Sequence, residues 1–273
     1  MSKKLLSGPY LLWMIGFTVI PLALIVFYGL TDRSGAFTLA NVLSIGTAEH
    51  RKALFLSLGL SLISTLVCLL LAYPLAMILR KRNIGKGSFV VFIFILPMWM
   101  NFLLRTYAWL PILGKNGFVN NFLANFGIGP IQFLYNDGAV LLGMIYNFLP
   151  FMVLPIFTIL SKMDQSLIDA ASDLGATRKQ IFTKVVFPLS LPGVISGITM
   201  VFMPAVSTFV ISSLLGGGQY MLLGNLIEQQ FTTMGNRNFG SAISIIMMIV
   251  ILISMAVMNK FDSEDKEGSA GLW

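Results

Sequence analysis

Charge is scarce in this chain: Asp, Glu, Lys and Arg make up 11% of 273 residues, less than half of the ~25% usual for a soluble domain. Hydrophobic residues reach 56%, which marks an integral membrane protein. The lone cysteine, Cys68, lies in an apolar run, so neither a disulfide framework nor a cysteine-based metal site can be built. The lone histidine, His50, stands beside Arg51 and Lys52 and reads as a solvated loop residue. One histidine cannot supply metal-spaced pairs or the base of an intramembrane hydrolase. No Asp or Glu falls inside a long apolar run, whereas a proton- or sodium-coupled carrier is expected to bury carboxylates along its path. A nucleotide cradle is missing too. Gly85-Lys86 has Arg80 where the leading glycine of a phosphate-binding loop should stand.

What remains are six apolar segments, each long enough for a ~30 Å hydrocarbon core. They predict spans at about 11–30, 53–79, 88–110, 138–160, 191–215 and 239–258. The first outruns the apolar part of a signal peptide and lacks a small-residue cleavage site after it, so it is expected to be a retained helix. Pro97 and Pro111 should interrupt the third span and Pro204 the fifth. The stretch 114–137 is expected to be a loop with a surface helix around Phe118–Phe126, 32–52 a loop, and 216–238 a loop opened by Gly216-Gly217-Gly218. The fold class is all-α and polytopic: one transmembrane domain over 1–260 and a charged, disordered cytoplasmic tail over 261–273. Six spans put both termini on one side. With them inside, the inner segments hold twelve basic residues: Lys3, Lys4, Arg80, Lys81, Arg82, Lys86, Lys162, Arg178, Lys179, Lys184, Lys260 and Lys266. The outer segments hold six: Arg33, Arg51, Lys52, Arg105, Lys115 and Arg237. That asymmetry places the termini in the cytoplasm. It also accounts for the net charge of +7 without a nucleic-acid partner.

The longest polar interruption, the loop 161–190, has the most specific pattern. Ser166 and Asp169 have capping-box spacing, and Leu167, Ala170, Ala171 and Leu174 follow on one small-residue face. Gly175 can end that helix in a left-handed conformation. Thr177 and Gln180 repeat the capping box for a second helix, with Ile181, Phe182 and Val185 on its apolar side and Pro188 and Pro192 as its expected limit. The prediction is a helical knuckle carrying Arg178, Lys179 and Lys184, shaped to enter a partner's groove.

Asp169-Ala170-Ala171, Gly175, Val185, Phe187 and Pro188 closely resemble the EAA loop of ABC importer permeases, with Asp169 where that family usually has Glu. The stretches 97–109, 147–155, 203–209 and 214–231 are similar to permease subunits of spermidine/putrescine importers, and together with the span layout the likeness covers nearly the whole chain. The resemblance implies a six-helix type I importer permease (MetI-like) fold in a bacterial inner membrane, with Asp169, Ala170, Ala171, Gly175, Arg178 and Pro188 coupling it to an ATPase. It implies as partners a second, similar permease, an ATP-binding subunit dimer and an extracytoplasmic substrate-binding protein. ATP and Mg would be used by the ATPase, with no cofactor or metal held by this chain, which is not itself an enzyme. Iron, thiamine, sulfate and opine importers share the architecture and stay open as alternatives, as does a membrane scaffold or enzyme subunit whose basic loops hold a cytosolic partner.

For a cationic cargo, Trp99, Tyr107, Trp109 and Tyr146 could offer ring faces, and Asp137 and Glu228 could attract it to the outer mouth. Asn101, Asn147 and Ser207 are the polar candidates within spans. Each has a structural reading as well: Trp and Tyr anchor span ends at interfaces, and polar side chains bond neighbouring helices.

Overall fold

A computed structural model describes residues 8–81 and 96–270, with the side chains of 81, 259 and 261–270 not described. Among the described residues the chain is helical, with a single isolated bridge, Thr31 to Phe37, in place of any sheet. Helix α1 is Gly8–Gly29, α2 Ala48–Lys81, α3 Phe102–Tyr107, α4 Trp109–Leu113, α5 Phe118–Ala124 and α6 Asp137–Lys162. Helix α7 is Gln165–Asp173, α8 Arg178–Ser207, α9 Val210–Leu215, α10 Leu223–Thr232 and α11 Arg237–Ala270. Five of these, α1, α2, α6, α8 and the 237–258 part of α11, are long and apolar enough to cross a membrane. Residues 88–95 of the predicted third span lie outside the described residues, and its remainder, 96–110, is built of short helical pieces rather than one continuous helix.

The centre is a three-helix contact of α2, α6 and α8. Cys68, Ala72 and Ala76 of α2 meet Met144, Met152 and Ile156 of α6 and Val194 and Val201 of α8 in one buried cluster. Small residues bring the backbones close. A Cβ on Gly193 would lie 2.9 Å from the Pro155 carbonyl oxygen and one on Gly197 3.2 Å from the Met152 carbonyl oxygen, so the Gly193-x-x-x-Gly197 pair acts as a small-residue seam between helices. A second, smaller core joins α10, α11 and the start of α2 through Ala53, Leu223, Leu226, Ala242 and Ile243. Helix α1 is fastened to α11 by Asn238, whose Nδ2 donates to the carbonyls of Tyr28 and Thr31. The last turns of α1 also pack on α11, Gly29 lying against Ala242 and Ile245, while its outer face is bare, with Trp13, Phe17 and Phe27 all more than half exposed.

Several expected boundaries move. Helix α8 runs through Pro188, Pro192 and Pro204, so the first two do not limit the knuckle's second helix and the third does not break the span. The turn just before Pro188, Phe182–Val186, is a π turn, whose wider winding accommodates the missing N–H. The break comes at Thr208, in extended conformation. Pro97 and Pro111 likewise lie within helical turns, and the interruptions fall at Met100-Asn101 and at Ala108. His50 is in the first turns of α2 rather than in a loop. Its Nδ1 is 2.7 Å from Thr47 Oγ1 and its ring packs on Phe239. The expected loop 216–238 contains the amphipathic α10, which buries Leu223, Leu226 and Gln230. Helix α11 continues to Ala270 where a disordered tail was expected, because the run from Asp262 to Glu267 contains no proline and mostly tolerant helix formers.

Candidate coupling loop and outer path

Helices α6 and α8 enclose the loop with the most specific sequence pattern. After α6 the chain turns extended at Met163, and the first residue able to cap the next helix is Asp164, whose Oδ1 accepts from Ser166 N–H at 3.0 Å. Asp164 therefore replaces Ser166 as the expected cap. That backbone donor holds the exposed Asp164 carboxyl below its ordinary pKa. Asp169 is not half of a capping box; its Oδ1 accepts from Gln165 Nε2 at 3.1 Å, one turn earlier. At the other end Gly175 adopts φ +77°, while its N–H donates to the Ser172 carbonyl at 2.9 Å and the Ala176 N–H to that of Ala171 at 3.1 Å. These two bonds form a Schellman stop. The second capping box is present as the spacing predicts. The Thr177 N–H donates to Gln180 Oε1 at 2.8 Å, and Thr177 Oγ1 accepts from the Gln180 N–H at 3.4 Å.

The loop is held from below and bare above. Ile168, Ile181 and Phe182 pack on the main core, whereas Leu174 is 89% exposed and Asp169, Ala170, Arg178 and Pro188 are exposed beside or beyond it. An apolar side chain left that bare at a helix end, ringed by charge, is what a docking knob requires. Two supports were not assigned to the loop from sequence. Tyr73, 8% exposed, meets Ser190 Oγ at 2.7 Å and packs edge-on against Phe182. Arg80 reaches Gln165 Oε1 at 3.4 Å and Met163 Sδ at 3.6 Å. Tyr73 before Pro74 and the basic cluster at the end of α2 were the available signals.

From the middle of α6 towards its other end the path candidates separate into two groups. Trp109 and Tyr146 form an edge-to-face pair with centroids 5.3 Å apart. Next to Tyr146, the fully buried Asn147 donates from Nδ2 to the Gly143 carbonyl at 2.9 Å and to Thr106 Oγ1 at 3.3 Å, which ties α3 to α6. Tyr107, on α3, is about half exposed and Trp99, just ahead of it, mostly so. The others have local duties. Asn101 caps α3, its Oδ1 accepting from the Leu103 N–H at 2.8 Å. Ser207 donates to the Met203 carbonyl in the last turn of α8. Glu228 lies on α10, not in a loop, and its Oε1 accepts from Thr232 Oγ1 at 2.9 Å.

The glycine run closes on its own chain. Tyr135, just before α6, has φ +64° and donates its N–H to the Leu215 carbonyl at 2.7 Å. Its ring occupies the space a side chain on Gly217 would need. Gly217 therefore admits Tyr135 rather than another protein, while the space beside Gly218 is open.

Residues 40–263 match the family described as binding-protein-dependent transport system inner membrane component. The chain is 36% identical over 253 residues to the spermidine/putrescine transport system permease protein PotB of Escherichia coli (strain K12), covering 90% of this chain and 92% of that one. Against the protein of the same name from Haemophilus influenzae (strain ATCC 51907 / DSM 11121 / KW20 / Rd) the identity is 35%, with 90% and 88% covered. A similar fold occurs in a chain of the crystal structure of a bacterial alginate ABC transporter in complex with its alginate pentasaccharide-bound periplasmic protein, with TM-score 0.78, 18% identity, and 92% and 90% of the two chains covered.

Proposed function

Because the chain belongs to the binding-protein-dependent transport system inner membrane components, we propose that it forms one half of the translocation pathway of an ABC importer for polyamines. It takes its energy from a separate ATPase pair and its cargo from an extracytoplasmic binding protein. The observation that carries the cargo is the 36% identity, spread over 90% of the chain, to a spermidine/putrescine permease. The Trp109–Tyr146 pair is consistent with it, since aromatic faces attract ammonium groups.

The knuckle between α6 and α8 is the coupling element in this reading. Leu174 fills a groove of the ATPase, Asp169, Ala170, Ala171 and Pro188 flank the contact, and Arg178 contributes charge. Gly175 sets the angle between the two short helices. A second, similar permease supplies the other half of the path and covers part of the bare α1. With the termini in the cytoplasm, as the excess of inner basic residues supports, the knuckle faces the compartment that holds ATP.

The test is uptake by the complex of this chain with its second permease, ATPase and binding protein, reconstituted in vesicles. Spermidine and putrescine should be taken up at the expense of ATP, and ferric iron should not compete. Uptake that iron or an anion suppresses, with polyamines inert, would assign the chain to a different importer.

A further inference from the structure

Where the knuckle joins α8, the helix is not continuous in its winding. Between its short start, Arg178–Ile181, and the long run from Phe187 lies the π turn Phe182–Val186, a local break of the kind that often marks a functional site. Pro188 follows it and has no N–H to bond back into it. Tyr73 of α2 touches both sides of this joint. Its ring meets the Phe182 ring edge-on, with centroids 5.7 Å apart, and lies 5.9 Å from that of Phe187. Its hydroxyl is 2.7 Å from Ser190 Oγ, beyond the joint. The Ser190 hydrogen is committed, because Oγ donates to the Phe187 carbonyl at 2.8 Å, so Tyr73 is the donor and Ser190 the acceptor. Both side chains are buried, 8% and 0% exposed. A phenylalanine would fill the same space with no polar atom to satisfy. What the tyrosine adds is one directional bond across the joint.

We propose that Tyr73 is a positioning residue of the coupling step: it splints the π turn, so that a displacement of the knuckle moves α2 and α8 together instead of being taken up in the turn. The proposal rests on the coupling role given to the loop above. The knuckle is continuous in chain only with α6 and α8, whereas α2 is the third helix of the central core. Apolar contact alone lets α2 slide, since it is non-directional, but a hydrogen bond weakens steeply once out of line. Arg80, two turns after Tyr73 and on the same side of α2, ties the other foot of the knuckle through Met163 and Gln165. Gln165 turns its remaining amide atom, Nε2, to Asp169. Helix α2 therefore grips both feet of the loop, although 117 residues separate Tyr73 from Ser190 and 85 separate Arg80 from Gln165.

Two measurements separate the splint from its consequence. In the assembled complex, amide exchange over 182–187 should be about three- to ten-fold faster in Tyr73→Phe than in the native chain, the range that loss of one buried hydrogen bond implies. In vesicles, the ratio of ATP hydrolysis with spermidine-loaded binding protein to hydrolysis without it should fall about three-fold or more. The thermal midpoint should change little, because Ser190 keeps its bond to Phe187 and no donor is stranded. Ser190→Ala, which strands the tyrosine hydroxyl, should be at least as severe, and the double variant no worse than Ser190→Ala. Multiplied losses in the double variant overturn the proposal, since the two groups would then act independently. So does unchanged exchange in Tyr73→Phe, and so does an equal proportional fall of basal and stimulated hydrolysis, which makes Tyr73 a packing residue. Gly175→Val tells the two readings apart. If it abolishes stimulation while Tyr73→Phe does not, the splint fails and the coupling loop stands; full stimulation in both removes the loop from coupling and the splint with it. If spermidine fails to stimulate the native complex, the cargo assignment falls and the exchange measurement alone decides.

Discussion

The proposed coupling loop and the proposed outer mouth sit at opposite ends of the same helix, α6, about 39 Å apart at 1.5 Å per residue, and they are held by opposite means. In the loop nearly every backbone group at a helix end is satisfied within a few residues: Asp164 by Ser166, Ala171 by Ala176, Thr177 by Gln180. At the mouth the ties span long stretches of chain. The Tyr135 N–H meets the Leu215 carbonyl, Ser57 Oγ accepts from the Leu223 N–H, and Asn238 reaches back to Tyr28 and Thr31. A locally determined loop keeps its shape whatever the bundle does, which suits a surface that must stay engaged with a moving partner. A mouth stitched by distant contacts changes shape when the helices shift, which suits a gate.

The sharpest way to break that comparison is at the seam that makes α6 and α8 one unit. In Gly193→Val the new side chain meets the Pro155 carbonyl oxygen and the Ile156 Cα, backbone atoms that cannot turn aside. A loss of about 3 kcal/mol or more is expected, read as a fall in the thermal midpoint of the purified complex or as failure to assemble. Both ends of α6 should suffer together. At the mouth alone, Gly217→Ala combines a positive φ of +63° with collision against the Tyr135 ring and should cost about 1–3 kcal/mol. Removing the ring as well, in Tyr135→Gly, should return part of that loss, and strictly additive losses in the double variant would mean that the two residues do not clasp.

In the coupling loop the expected effect is smaller for the fold and larger for function. Gly175→Val meets only the backbone penalty of φ +77°, because the space where its side chain would stand is open; about 1–2 kcal/mol is expected for the left-handed conformation. Membrane insertion and assembly with the second permease should be normal, while stimulation of ATP hydrolysis by the loaded binding protein should drop at least ten-fold. Full stimulation in a correctly inserted Gly175→Val complex would remove the loop from the coupling role.

The same local character decides what could be read from sequence. The stop at Gly175, the box of Thr177 and Gln180 and the short helix near Phe118 each depend on residues within a turn of one another, and they are visible as spacing. Prolines misled, because a π turn or a packed helix absorbs them and the sequence carries no mark of which will occur. The His50 contact with Phe239 and the closure of Gly217 by Tyr135 depend on which distant segments meet. Arg105 counts as an outer basic residue in the sequence, and only the fold shows it buried on α3. The Gly193-x-x-x-Gly197 pair was not singled out in the sequence, and it acquires meaning only from Met152 and Pro155 on the facing helix.

The finest distinction lies between the two acidic residues of the loop. Asp164 caps α7 through the Ser166 N–H, while Asp169 accepts a side-chain bond from Gln165 on an exposed surface. Removing the first leaves a helix N-terminus without its acceptor, and removing the second costs only an interaction of the kind that is weak in water. Asp164→Ala should therefore destabilise the loop measurably, seen as faster amide exchange over 165–173, and Asp169→Ala should change that exchange less. The pH dependence separates them further. Because the Ser166 N–H lowers the Asp164 pKa in the folded loop, its contribution is complete above the ordinary carboxyl value of about 3.9. It is lost as pH falls through the folded value below that. The native loop and Asp164→Ala should thus differ at neutral pH and converge in acid. A difference that persists in acid strong enough to protonate the folded carboxyl would mean that the carboxylate is not what holds the start of α7.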